Sequence, residues 1–180
     1  MESTSGTRQR LIEVTRRVID SGGIDSVSMR DLGKEMGLSR SAVYRHFDNK
    51  DDLLVAVATE DFGALVDVLA ALQQEVHAPR ELVHEILHTV YEFAMHSHER
   101  FSLTFIRHWE LANHENLHNA ARELFAVIYR SIEQASDRAS LPGRSPRQLT
   151  AMSAAFVTGL VELNRAGHLE PEKGFDDPPG

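Results

Sequence analysis

Ser39-Arg40-Ser41-Ala42-Val43-Tyr44-Arg45-His46-Phe47-Asp48-Asn49-Lys50 is the stretch whose reading decides the fold. It reads as a short helix, a tight break and the start of a second helix. Its outward side chains, Arg, Ser, Tyr, His and Lys, are the types that meet phosphates and base edges. Val43 and Phe47 take the inward positions. Just upstream, Met29 to Gly37 reads as another short helix ending on glycine. Two short helices joined by a Gly-containing turn form the helix-turn-helix pattern, which places its second helix in a DNA major groove.

The flanking residues agree. Ser28 precedes the upstream helix and Asp31 follows three residues later, a capping box with a shorter acid. Ser39 caps the next helix. Asn49 caps the one after, with Asp51 and Asp52 in its positive first turn. Before the pair, a helix from about Gly6 to Ser21 buries Leu11, Ile12, Val14, Thr15, Val18 and Ile19, and Gly22-Gly23 lets the chain leave it. Arg8 and Arg10 sit near its start, the unfavourable end for a cation unless a phosphate lies close.

Downstream, helical periodicity runs almost to the end. The spacing predicts helices over about Lys50 to Val76, Pro79 to Ser97, Glu99 to Asn113, Asn116 to Arg138 and Pro146 to Ala166. Ala78-Pro79 breaks the first of these, Ser140 to Pro146 is a Pro/Gly loop, and Gly167 stops the last. Glu170 to Gly180 reads as a polar, frayed tail. No sustained period-2 alternation and no Asn-Gly or Asp-Gly hairpin turn is present, so the class is all-α.

Composition narrows the function. The chain has 180 residues and no cysteine, which removes disulfides, thiolate metal sites and cysteine nucleophiles. Net charge is -8, but residues 1–50 carry +2 and residues 51–180 carry -10. A small DNA-facing head on an acidic body fits that split. No apolar run reaches the roughly 18 residues that span a membrane, and the N-terminus lacks the apolar core of a signal peptide. A soluble cytoplasmic protein without membrane partner is the expectation. With no Gly-x-Ser-x-Gly elbow and no phosphate-cradling glycine loop, an enzyme is not expected, nor a cofactor.

Thr7-Arg8 through Leu53-Leu54 resembles the DNA-binding head of the TetR-type transcriptional regulators. The residues that carry the resemblance are Ser28-Met29-Arg30-Asp31-Leu32, Gly37-Leu38-Ser39, and Tyr44-Arg45-His46-Phe47 followed by Lys50 and Leu53. Gly33 departs from the alanine usual in the family, and Met36 from a small residue. The resemblance implies an N-terminal three-helix DNA-binding head over 1–49 and a helical effector-binding and dimerisation domain over 50–180. It implies a homodimer on a palindromic double-stranded operator, in most cases a repressor released by a small molecule. A transcriptional activator, or a metal- or pH-sensing regulator, is the alternative on the same fold.

Chemistry and matched position assign the head's residues. Arg40, Ser41 and Arg45 are candidate base readers, with Ala42 small enough to bring the helix deep into the groove. Ser28, Arg30, Ser39, Tyr44, His46 and Lys50 are candidate phosphate contacts. Other readings stay open: Tyr44 packing on Phe47 or the first helix, His46 bracing the fourth helix, Arg40 and Arg45 merely solvated.

For the effector, the fifth helix carries a second stripe beside its apolar one: His84, His88, Tyr91 and Met95. Such mixed polar and apolar lining suits a pocket wall for a partly apolar ligand. Phe101, Phe105, His108 and Trp109 are candidates for a facing wall. Ordinary core with partly exposed histidines is the competing reading. His84 and His88 also have the i, i+4 spacing of a helical metal pair, with Glu85 and His108 as further ligands, but scattered histidines produce such pairs by chance and no metal is expected. For the dimer, the candidates are Leu117, Ala121, Leu124 and Ile128 on one helix and Met152, Ala155, Phe156, Gly159, Leu160 and Leu163 on the last, with intramolecular core as the alternative.

Overall fold

A computed structural model describes residues 4–109, 114–139 and 144–169, with side chains from residue 6 and none over 137–139. Among the described residues there is no strand. The described residues form, in order, the helices α1 (Thr4–Gly22), α2 (Met29–Glu35), α3 (Arg40–Tyr44), α4 (Lys50–Glu75), α5 (Pro79–His96), α6 (His98–Phe101), α7 (Glu115–Ala139) and α8 (Pro146–Arg165). A 3-10 turn, Ile24–Ser26, follows α1, and a π turn, Ser102–Ile106, continues α6.

The caps form as the sequence predicts. Ser28 Oγ accepts from the Asp31 amide at 3.4 Å, and Ser39 Oγ from the Ala42 amide at 3.2 Å. Asn49 Oδ1 accepts from the Asp52 amide at 2.9 Å. Each gives an amide of the first helical turn a side-chain acceptor. Gly37 leaves α2 at φ +66°, a left-handed exit that glycine makes without steric penalty. At α8, Ser145 and Gln148 complete a full capping box with Pro146 at the first position.

The chain divides into two compact units, one of residues 1–67 with 97–124, the other of 68–96 with 125–180. In the first, α2 packs on α3 and α1 packs on α6. Its core holds Leu11, Ile12, Ile19, Leu32, Val43, Leu53, Leu54 and Phe101, all buried. In the second, α5 packs on α8, and Gln73 Nε2 donates to Ser131 Oγ at 3.0 Å. Leu82, Ile86, Val90 and Ala94 face inward from α5 at helical spacing, and Val157 and Val161 from α8.

One reading of the helices changes. The helix expected over Glu99 to Asn113 ends at Ile106: its last turn widens into the π turn, closed by the Arg107 amide on Ser102 O at 2.8 Å. Residues 110–113 of that segment, 140–143 of the expected loop and the 170–180 tail lie outside the described residues. Met36 is half-buried at the end of α2.

Gly33, the departure from alanine, has a packing reason. A Cβ there would lie 3.1 Å from Val43 Cγ2 and 3.4 Å from Leu38 O. The missing methyl therefore lets α2 approach α3 closely, at a helix-propensity cost of about 1 kcal/mol against alanine.

Candidate nucleic-acid interface

The short helix α3 separates its side chains cleanly. Val43 and Phe47 are buried and fix it to the unit's core. Ser39, Arg40, Ser41, Tyr44 and Arg45 are exposed, and so is Arg30 on α2. Ser28, His46 and Lys50 are half-buried. The side chains suited to base edges and phosphates thus share the exposed side of one anchored helix and its two neighbouring helix starts.

Local contacts pre-order several of them. The Arg40 guanidinium lies 5.4 Å from the Tyr44 ring centroid, and Ser39 and Ser41 hydroxyls are 3.1 Å apart. Tyr44 is therefore engaged with Arg40 rather than buried against Phe47. Arg8, at the start of α1, stacks over the Phe47 ring at 5.0 Å. That contact was invisible in the sequence, because it joins residues with no local pattern in common. Lys34 Nζ donates to Asp31 at 3.1 Å, and this bond together with Ser28 holds the Asp31 carboxyl below the usual carboxylate range. Ala42 is buried beside Val43.

The same unit contains an ion network with no counterpart in the sequence reading. Asp61 Oδ1 on α4 receives Arg16 Nη2 of α1 at 2.9 Å and Arg100 Nη1 of α6 at 3.2 Å. Arg100 also donates from Nε to Asp20 at 3.0 Å and from Nη2 to Ser97 Oγ at 2.9 Å. Burial pushes the Asp61 carboxyl up, while Arg100 and Arg16 pull it down. Further along, Arg107 reaches Asp51 at the start of α4, Nη2 to Oδ1 2.9 Å. A cleft of about 470 Å³ opens beside the end of α3, lined by Arg8, Arg45, His46, Phe47, Asp52 and Thr59 among others. None of the expected effector residues lines it.

Those effector residues fall into separate settings. His84, His88 and Met95 are exposed on α5, and Tyr91 is half-buried. Phe101 is buried and stacks on Phe105 at 4.9 Å, which meets Phe62 edge-on at 5.3 Å. Trp109 donates its indole N–H to Leu103 O at 3.0 Å, and His108 is exposed. Phe101 and Phe105 are thereby part of an internal aromatic cluster. Among the described residues no group of three or more His, Asp or Glu is placed to hold one metal ion. His84 instead pairs with Glu85 and His88 with Glu92, at 3.2 and 3.7 Å.

The dimer candidates also divide. Leu117, Leu124 and Ile128 are buried within the protomer, so they belong to its own core, and Ala121 is half-buried. On α8, Met152, Phe156 and Leu163 stay 49, 60 and 45% exposed, Ala155 is exposed, and Gly159 and Leu160 are half-buried. Met152, Phe156 and Leu163 are thus large apolar side chains left in water on one helix.

Two family models match the chain. One, described as bacterial regulatory proteins of the tetR family, covers residues 11–57; the other, a tetracyclin repressor-like C-terminal domain, covers residues 83–178. The chain belongs to the TetR family. The family is one of transcription regulators, not of enzymes. An HTH-type transcriptional regulator of Staphylococcus aureus (strain bovine RF122 / ET3-1) is 28% identical over 86 residues, 48% of this chain and 46% of that protein. The chain thus spans about half the length of the curated relatives it matches. Among solved structures, a protein with unknown function from Rhodococcus sp. RHA1 has a TM-score of 0.82 at 20% identity, over 99% of this chain and 88% of that one. The transcriptional regulator FadR from Bacillus subtilis, solved in complex with stearoyl-CoA, has a TM-score of 0.73 at 14% identity, over 90 and 89%. At these identities the structures show a shared TetR fold. No helix among the described residues is long and apolar enough to cross a membrane.

Proposed function

We propose that this TetR-family chain is a cytoplasmic transcriptional repressor that binds a palindromic operator as a homodimer and leaves it when a small molecule binds. The observation that carries the DNA-binding reading is the arrangement of α3. Its apolar side is buried while Arg40, Ser41, Tyr44 and Arg45 are exposed, with Ser28, Arg30, Ser39, His46 and Lys50 around them. Arg40, Ser41 and Arg45 read bases, since arginine to guanine O6/N7 is the commonest specific contact. Ser28, Arg30, Ser39, Tyr44, His46 and Lys50 hold phosphates and set the register.

One such helix reads only a few base pairs. Two of them, related by a dyad and about 34–36 Å apart, enter successive major grooves on one face of DNA. The exposed α8 face of Met152, Ala155, Phe156 and Leu163 supports the dimer, because covering it removes large apolar groups from water. DNA reading belongs to residues 1–49; dimer and effector functions belong to residues 50–180. The stearoyl-CoA bound to Bacillus subtilis FadR makes a lipid-like effector the class to test first, with His84, His88, Tyr91 and Met95 of α5 as its candidate contacts.

Gel-shift titration over a salt series tests the reading. Arg45→Ala should lose about 1–3 kcal/mol on the selected operator and relax one base position. Lys50→Ala should weaken operator and random duplex equally and lower the salt slope by about 1. Equal losses on both DNAs for Arg45→Ala would remove it from the base readers.

A further inference from the structure

We propose that Arg107, which lies outside the helix-turn-helix, is a working part of the DNA-facing surface: it neutralises Asp51 next to the phosphate-contacting Lys50. The inference rests on the DNA-binding reading above and extends it to a segment that reading does not use.

The start of α4 poses an electrostatic problem. Lys50 is followed at once by Asp51 and Asp52. Both carboxylates favour the helix start, yet both repel the phosphate that Lys50 is to hold. Asp52 is engaged locally, its carboxylate accepting Asn49 Nδ2 at 3.1 Å. Asp51 points to solvent, with its side chain 66% exposed. Its partner comes from far along the chain: Arg107 Nη2 donates to Asp51 Oδ1 at 2.9 Å.

Arg107 is held in place from its other side. Its guanidinium stacks on the Trp109 ring at 4.4 Å, and Trp109 is tied through its indole N–H to Leu103 O. The π turn over Ser102–Ile106 ends on the Arg107 amide, which sets the direction in which this side chain leaves the backbone. An ordinary exposed ion pair gives up side-chain entropy and contributes little to stability. Here the entropy of the arginine is already spent on stacking, so its charge is fixed beside Asp51 before any ligand arrives. A fixed cation there removes the like-charge penalty next to Lys50 and lets the acidic first turn of α4 coexist with a phosphate.

Fluorescence anisotropy of the full-length chain tests this, using a duplex enriched from a random library by the wild-type protein and a scrambled duplex. Arg107→Gln should weaken both by about three- to fivefold at low salt, the scale of one unscreened charge a few ångströms from a phosphate. Arg107→Lys should keep most of the affinity. Combining Arg107→Gln with Asp51→Asn should restore binding to about the wild-type level, because the net charge of the pair is again zero. Two results overturn the proposal: no loss with Arg107→Gln, or a double variant that binds no better than Arg107→Gln alone. Thermal melts of each variant separate a folding defect from a charge effect. If the wild-type protein binds neither duplex, the DNA-binding reading itself fails. If it binds and Arg45→Ala loses affinity while Arg107→Gln does not, only this inference fails.

Discussion

Replacing Asp61 with alanine tests what holds α1, α4 and α6 together. The carboxylate is 3% exposed, and the two arginines converging on it keep side-chain exposures of 22% (Arg16) and 16% (Arg100). Removing one partner of a buried ion pair costs about 3–5 kcal/mol, most of it from the charge left without compensation. Asp61→Ala leaves two guanidiniums facing each other, but Arg100 keeps Asp20 at 3.0 Å, Arg16 keeps Glu60 at 3.5 Å, and both retain some water contact. The lower end, about 3 kcal/mol, therefore applies. In a chain of this size each kcal/mol moves the midpoint by roughly 2–4 °C, so Tm should fall by about 6–12 °C. The assay is circular dichroism at 222 nm, repeated at high salt, where a buried network should lose little of its contribution. A fall of less than about 2 °C would refute the view that Asp61 is a structural hub.

Four further outcomes follow from the same structure. Because burial raises the Asp61 carboxyl above 3.8, the proton-linked part of its contribution is full below that pH and falls away as pH rises through the raised value; the stability advantage of wild type over Asp61→Asn in urea should therefore shrink with rising pH, and an advantage that grows would reverse the sign. Gly33→Ala alone should give no stabilisation, since the new methyl meets Val43, whereas in a Val43→Ala background it should recover about 1 kcal/mol of helix propensity; a full gain in the single variant would show that α2 and α3 part freely. Ser145→Ala should cost about 1 kcal/mol by opening the α8 capping box, read as a lower urea midpoint, and an unchanged midpoint would argue against it. Phe156→Glu should shift sedimentation to the monomer while leaving the helical circular dichroism signal intact, and an unaltered dimer would move the interface off α8.

What could be read in the sequence was local. Ser28, Ser39 and Asn49 announce their helices because a cap acts on an amide two or three residues away. Val43 and Phe47 announce the inner side of α3 because burial follows helical period. Contacts between distant residues leave no such mark. Nothing near Arg100 signals Asp20 or Asp61, and nothing near Arg107 signals Asp51. The π turn was also hidden, since Ser102 to Ile106 has ordinary helical composition. Apolar stripes proved ambiguous in a physical sense: periodicity reveals that a face is to be covered, but not by what. Leu117 and Leu124 on α7 are covered within the protomer, while Met152 and Phe156 on α8 are not. The mixed stripe of α5 is likewise a pattern on one helix, with His84 and His88 left facing water.

The grouping of residues 97–124 with residues 1–67 bears on how such a regulator can be rebuilt. Transplanting a DNA-reading module onto a foreign body usually means cutting the chain soon after the helix-turn-helix. A cut at residue 67 would part Asp51 from Arg107 and Asp20 and Asp61 from Arg100, and a cut at 49 would part Asp20 from Arg100 and Arg16 from Asp61. The portable piece is discontinuous. A chimera that exchanges operators needs Ser97–Leu124 to travel with the head, and one that omits it exchanges the reading helix but not the scaffold that aims it.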